Sequence, residues 1–138
     1  MLVRQAGGAD YVIDFTNQSG AACTMYGYPG VSLVIGPPYT QAGLAAERDT
    51  TAPVKLVTLA PGAAATAVLQ VADALNFPAS TCSPVQATSL RVYPPNQTAP
   101  VYLPDAAYGC AKPVQTLFIS AVQANGEARP MNTAGSGG

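Results

Sequence analysis

Apolar and polar residues alternate along this chain in short runs with a period of two, the period of a half-buried β-strand. Tyr11-Val-Ile-Asp-Phe-Thr16 sets Tyr11, Ile13 and Phe15 on one face and Asp14 on the other. Turn formers from Thr16 to Gly20 end it, and Ala22 to Met25 then reads as a short strand running into Gly27-Tyr-Pro-Gly30. Val31 to Ile35 is the next strand, stopped by Gly36-Pro37-Pro38. The segment from Tyr39 to Pro53 has no clear period and is expected to be a long connection, with one helical turn around Leu44 to Arg48. Val54 to Leu59 alternates again, and Ala60-Pro61-Gly62-Ala63 carries proline and glycine at the central positions of a type II turn. Ala65 to Val71 returns as the partner strand, although its alanines and leucine leave a helix over 63–75 as an alternative. Ser89 to Tyr93, Pro100 to Leu103 and Thr116 to Val122 complete seven or eight short strands separated by turn signals. An all-β antiparallel sandwich is predicted.

Composition sharpens that picture. The 138 residues fit one core, and 13 prolines and 13 glycines spread along the chain break up any long helix. A net charge of −1, with only 9% of residues charged, leaves no electrostatic footprint for nucleic acid. The chain contains no histidine, which removes Ser-His-Asp and Cys-His catalysis and imidazole metal sites. There is no apolar run long enough to cross a bilayer as a helix and no export signal at the N-terminus as given. A single domain is expected over 1–124, and the stretch 125–138, low in hydrophobic content and ending in Gly135-Ser-Gly-Gly138, is expected to be a flexible tail.

Cys23, Cys82 and Cys110 form no Cys-x-x-Cys pair, so a disulfide suits them better than a zinc or iron-sulfur site. Of the three pairings, Cys82 to Cys110 closes the shortest loop and is the expected bond; three reduced cysteines in a cytosolic protein are the alternative. Ala106, Tyr108 and Cys110 reproduce part of the immunoglobulin Asp-x-Ala-x-Tyr-x-Cys pattern, but Asp105 is one position out of register and the chain has no tryptophan. An antibody-type domain is therefore not expected, while an immunoglobulin-like sandwich stays open.

The seven carboxylates, Asp10, Asp14, Glu47, Asp49, Asp73, Asp105 and Glu127, are scattered, so ordinary solvated acids are the first reading and a glycosidase-like pair the second. No nucleophile elbow, phosphate loop or calcium loop is present, and no cofactor or metal is expected. Asn17-Gln-Ser19 and Asn96-Gln-Thr98 match glycosylation sequons that arise readily by chance. Tyr26, Tyr28, Tyr39, Tyr93, Tyr102 and Tyr108 can build a binding surface, because tyrosine offers apolar area with a polar tip. Tyr26, Tyr28, Pro29 and Tyr39, in the proline-bearing turns, are the candidate binding residues, placed on loops at one end of the sandwich.

Thr16-Asn-Gln-Ser-Gly20, Cys23 and Gly27-Tyr-Pro-Gly-Val31 together resemble a domain-of-unknown-function family of actinobacterial secreted proteins and lipoproteins. The likeness continues through Leu59-Ala-Pro-Gly62, Ala67, Cys82, Leu90-Arg-Val-Tyr-Pro-Pro95 and Cys110, covering most of residues 11–122. It implies an immunoglobulin-like sandwich outside the cytoplasmic membrane, with disulfides and no established activity. It also implies a cysteine upstream of Met1 as the partner of Cys23, in a segment that supplies an edge strand. Without that segment Cys23 is expected to be a free thiol, with the edge near Leu2 to Val12 capped by the tail or paired with a neighbour. The expected function is a non-enzymatic, extracytoplasmic cell-envelope module that binds or spaces a protein or glycan partner. The alternatives are a carboxylate-dependent glycan hydrolase and a structural subunit of an envelope assembly.

Overall fold

A computed structural model describes residues 1–6 and 10–124, and these residues form an all-β sandwich. The larger sheet runs in the order β1 (Leu2–Ala6), β2 (Asp10–Thr16), β8 (Ala64–Val71), β13 (Leu117–Ser120), β6 (Glu47–Asp49), with β14 (Gln123–Ala124) also paired to β8. The facing sheet runs β11 (Val101–Pro104), β10 (Ser89–Tyr93), β4 (Gly30–Ile35), β5 (Thr40–Ala42). Two small ladders, β3 (Cys23–Met25) with β7 (Val57–Leu59) and β9 (Pro84–Gln86) with β12 (Tyr108–Cys110), complete it. Two short helices, η1 (Ala74–Asn76) and α1 (Ala79–Cys82), lie between β8 and β9.

The alternation predicted for these strands is the one that builds the core. Ile13, Phe15, Ala65, Ala67, Leu69, Leu117 and Ile119 from one sheet pack in a single buried cluster with Val31, Leu33, Leu90, Val92 and Leu103 from the other. On the central strand β8 the small residues have a geometric use: Ala65 sits opposite Phe15 and Ala67 opposite Ile13, so small faces large across the ladder. That pairing decides 63–75 in favour of strand up to Val71. Helix propensity is worth only tenths of a kcal/mol per residue, whereas the strand buries Ala65, Ala67 and Leu69 completely.

Several expectations need correction. Leu44 to Arg48 holds no helical turn: Ala46 N–H donates to Val31 O at 2.8 Å and Leu44 N–H to Val114 O at 3.3 Å, and Glu47–Asp49 pairs parallel to β13, so the sheets are not wholly antiparallel. Long-range backbone bonds override the local helical preference there. Among the described residues there are fourteen strand segments where seven or eight are predicted, because many ladders are only two to four residues long and carry too little pattern to read. Leu2–Ala6 lies beside β2 in antiparallel register with Val12–Thr16 and forms an edge strand of the larger sheet. The tail expected to cap that edge lies outside the described residues. Tyr108, of the Ala-x-Tyr-x-Cys pattern, is 46% exposed.

Cys82 and Cys110 are bonded, and Cys23 is a half-buried free thiol on β3. The disulfide belongs to a satellite cluster with Ala74, Phe77 and Val114, where it ties the helical excursion to β12. Ala111 N–H to Ser83 O at 2.9 Å and Lys112 N–H to Cys82 O at 3.1 Å continue the same seam.

Asn17 closes the other end. Its side chain is 3% exposed and fully engaged: Nδ2 donates to Ala21 O at 2.8 Å and Leu59 O at 3.0 Å, while Oδ1 accepts from Ser19 N at 3.0 Å and Ser19 Oγ at 2.7 Å. Its backbone donates to Ala63 O at 2.9 Å and accepts from Gly62 N at 2.7 Å. Gly62 takes φ +84° in the predicted type II turn, closed by Ala63 N–H to Ala60 O at 2.9 Å. The Asn17 sequon is therefore a structural node, with both amide protons already donated.

Asn17→Ala removes the donor to the buried Leu59 carbonyl and to the more exposed Ala21 carbonyl, and is expected to lower unfolding free energy by about 1–3 kcal/mol. Asn17→Asp, which turns an acceptor towards those same carbonyls, is expected to cost at least as much; urea denaturation midpoints measure both. Removing the disulfide by Cys82→Ala with Cys110→Ala opens a loop of sequence separation 28, with an expected loss of about 3.5 kcal/mol by the chain-entropy relation. Maleimide labelling of the unfolded, unreduced protein is expected to modify Cys23 alone, and labelling of all three cysteines would refute the bond.

Candidate functional site

The turn between β3 and β4 follows Met25, at the end of β3 remote from Cys23, whose ladder partner Leu59 bonds Asn17. Val122 N–H donates to Gly27 O at 2.9 Å, and the next residue, Gln123, pairs with Thr66 near the start of β8. Gly27 holds φ +106°, which lets the chain reverse and present its flanking tyrosines. Tyr26 is 53% exposed, and Tyr28 is half-buried and packs against the core. A groove of about 300 Å³ is lined by Tyr26, Gly27, Tyr28, Arg48, Val54 and Asn96. The Arg48 guanidinium carbon lies 5.0 Å from the centre of the Tyr28 ring, a cation–π contact that fixes the charge at the groove wall. Asn96 holds φ +63°, and its Nδ2 reaches the Tyr26 carbonyl oxygen at 3.5 Å.

Of the residues predicted from sequence, Tyr26 and Tyr28 are brought together here, whereas Pro29 and Tyr39 are not. Pro29 is buried, because it starts the turn into β4 and faces protein rather than solvent. Tyr39 follows the far end of β4, a strand that spans about 20 Å. The turn that carries it is held at that far end, where Gly36 N–H donates to Thr88 Oγ1 at 3.1 Å. The expectation of one tyrosine cluster at one end is thus corrected: a strand connecting two turns necessarily separates them. Arg48 and Asn96 were missed as site residues, Arg48 because its segment was read as a connection and Asn96 because it was read only as a sequon.

Tyr39 instead joins the outer face of the smaller sheet, where its ring stacks on Tyr102 with centroids 3.9 Å apart and planes 11° from parallel. The described carboxylates are largely engaged locally. Asp73 Oδ1 accepts from Leu75 N at 3.0 Å and caps η1, Asp49 accepts from the Thr51 backbone at 3.0 Å and from its hydroxyl, and Asp105 Oδ1 accepts from Ala107 N at 3.0 Å. Asp14 stands opposite Arg4 in the β1–β2 ladder, and Glu127 lies outside the described residues. Among the described residues no cluster of three or more His, Cys, Asp or Glu side chains gathers to hold a metal ion, and no helix is long and apolar enough to cross a membrane.

These features define a small all-β sandwich whose distinctive exposed chemistry is tyrosine and arginine. The chain belongs to the DUF4232 family, a domain of unknown function, whose family model matches residues 2–123. No curated protein and no solved structure matches it.

At the end opposite the groove, Tyr11 donates from its hydroxyl to Asp105 Oδ1 at 3.3 Å. Burial, then the neighbouring Asp105 charge and that hydrogen bond, push the Tyr11 phenol above its ordinary value. A raised folded-state value means stability is complete below the unfolded tyrosine range and falls as pH rises through it towards the folded value. Unfolding free energy is expected to decline above about pH 10 in the wild type and to decline less steeply in Tyr11→Phe, as measured by urea titrations at alkaline pH.

Proposed function

We propose that this domain is a non-enzymatic module of an actinobacterial secreted protein or lipoprotein, displayed in the cell envelope, where it binds a protein or glycan partner. The observation that carries this reading is the groove at the β3–β4 turn, where the exposed Tyr26, the Arg48–Tyr28 pair and Asn96 converge. Tyrosine and arginine are the residues that most often concentrate binding energy, because each combines large contact area with a polar or charged tip. Arg48 is already oriented by the ring beneath it, so less side-chain freedom is lost when a partner docks. The Cys82–Cys110 bond supports an oxidising compartment.

Co-sedimentation with purified envelope material tests the proposal. The wild-type domain is expected to pellet with either the glycan or the protein fraction. Tyr26→Ala with Arg48→Gln is expected to reduce the bound fraction about tenfold or more, corresponding to loss of at least one hot-spot contact, while the melting temperature stays unchanged. Equal retention of the variant would remove the groove as the site. Release of new reducing ends from the glycan would replace the binding module with a hydrolase.

A further inference from the structure

The outer face of the four-stranded sheet carries a second surface, built independently of the groove. Leu90, Val92, Leu33, Ala42 and Leu103 point into the core, so the alternating residues Arg91, Tyr93, Gln41 and Tyr102 point away from it. Tyr102 stands directly opposite Arg91 on the β10–β11 ladder. From the other side of the sheet, the Gly36–Tyr39 turn brings Tyr39 back across β4 and β10 to stack on Tyr102. Gln41 on β5 crosses β4 alone: its Oε1 accepts from Arg91 Nη2 at 2.8 Å, and its Nε2 is anchored on Gly43 O at 3.0 Å. The Arg91 guanidinium carbon also lies 6.0 Å from the centre of the Tyr93 ring. The cation is therefore held in place before any ligand arrives, beside two stacked rings that are 38% and 37% exposed.

Charge and area point to the occupant. Arg91 is the single charged residue in the four strands of this sheet, so no carboxylate of the sheet neutralises it. With Nε buried and without a partner and Nη2 donating to Gln41, the cation offers a carboxylate its charge and its remaining N–H groups. Ser32, Val34 and Ser89 on this same face are buried, so its open part is smaller than the outline of four strands about 4.8 Å apart and some 17 Å long, on the order of 300 Å². That is well below the roughly 800 Å² per partner of a stable protein pair, a second copy of this chain included. A narrow ribbon-like ligand fits it. We infer that this face binds an acidic glycan, a chain of sugar rings bearing carboxylates, with the apolar face of one ring against the Tyr39–Tyr102 stack and a carboxylate on Arg91.

Amide chemical-shift titration of the whole chain with a short oligogalacturonate tests this, with a neutral cello-oligosaccharide and an oligoglutamate peptide as controls. Shifts are expected on β5, β10 and β11 with the uronate oligomer. Arg91→Gln and Tyr102→Ala are each expected to weaken binding about tenfold or more, and Arg91→Lys, which keeps the charge but loses the planar guanidinium, is expected to weaken it measurably less than Arg91→Gln. Each variant is first checked for an unchanged amide spectrum elsewhere, and Arg91→Lys keeps the test decisive if Arg91→Gln fails to fold. Tyr26→Ala is expected to leave the titration untouched, so failure here and failure of the groove are distinguishable. Absence of shifts at millimolar uronate, equal binding of the neutral oligomer, tighter binding of the glutamate peptide, or shifts confined to the Tyr26–Arg48 groove would each overturn the inference.

Discussion

The carboxamide of Asn17 is the interaction on which the closed end of this sandwich depends. Four hydrogen bonds from one buried side chain join the loop after β2 to the end of β7, and its backbone joins the same point to the turn before β8. Amide chemistry is what the position requires: two donors face two carbonyls while the oxygen faces an N–H and a hydroxyl. No other side chain of similar size presents donors and acceptors in that arrangement. Because a buried carbonyl without a partner is costly, the three segments can meet there only if that group is present.

Everything that positions the exposed tyrosines follows from how the strands leave that end. β3 starts at Cys23 opposite Leu59, the Asn17 contact, and runs away from it to Met25, after which the Val122–Gly27 bond holds the turn that carries Tyr26 and Tyr28. β4 then carries the chain away from that turn to its own far end, where the Gly36–Tyr39 turn folds back over the sheet. Two tyrosine-bearing turns adjacent in sequence thus serve two different surfaces, one concave and one nearly flat. In both, an arginine lies over a tyrosine ring, and the ring limits the freedom of a side chain that would otherwise be mobile.

The candidate residues were only partly legible in the sequence, and the particular failures have a common cause. Tyr26 and Tyr28 could be found because an exposed aromatic in a Gly-Pro turn is a local signal. Arg48 could not, since nothing in Ala45 to Asp49 reveals that this segment will pair parallel to β13 and bring its guanidinium over Tyr28. Tyr102 and Arg91 were visible as outward-facing strand residues, but their joining with Tyr39 and Gln41 depends on a turn crossing two strands. Pro29 illustrates the reverse error, a turn residue whose local chemistry suits a surface and whose place in the fold is buried.

By itself, the sequence determined the properties that follow from short-range chemistry. The period-two alternation chose strands, proline and glycine set where most of them end, and the absence of histidine removed whole classes of chemistry. Even the Cys82–Cys110 bond followed from loop length, because closure entropy depends on separation along the chain. Tertiary structure decided what depends on residues distant in sequence. It made Ala64–Val71 a strand by setting its alanines against Phe15 and Ile13, and turned Asn17 from a turn former into a buried node. It also divided the tyrosines between two surfaces, because side-chain partners across a sandwich are fixed by strand order and register, which no local pattern encodes.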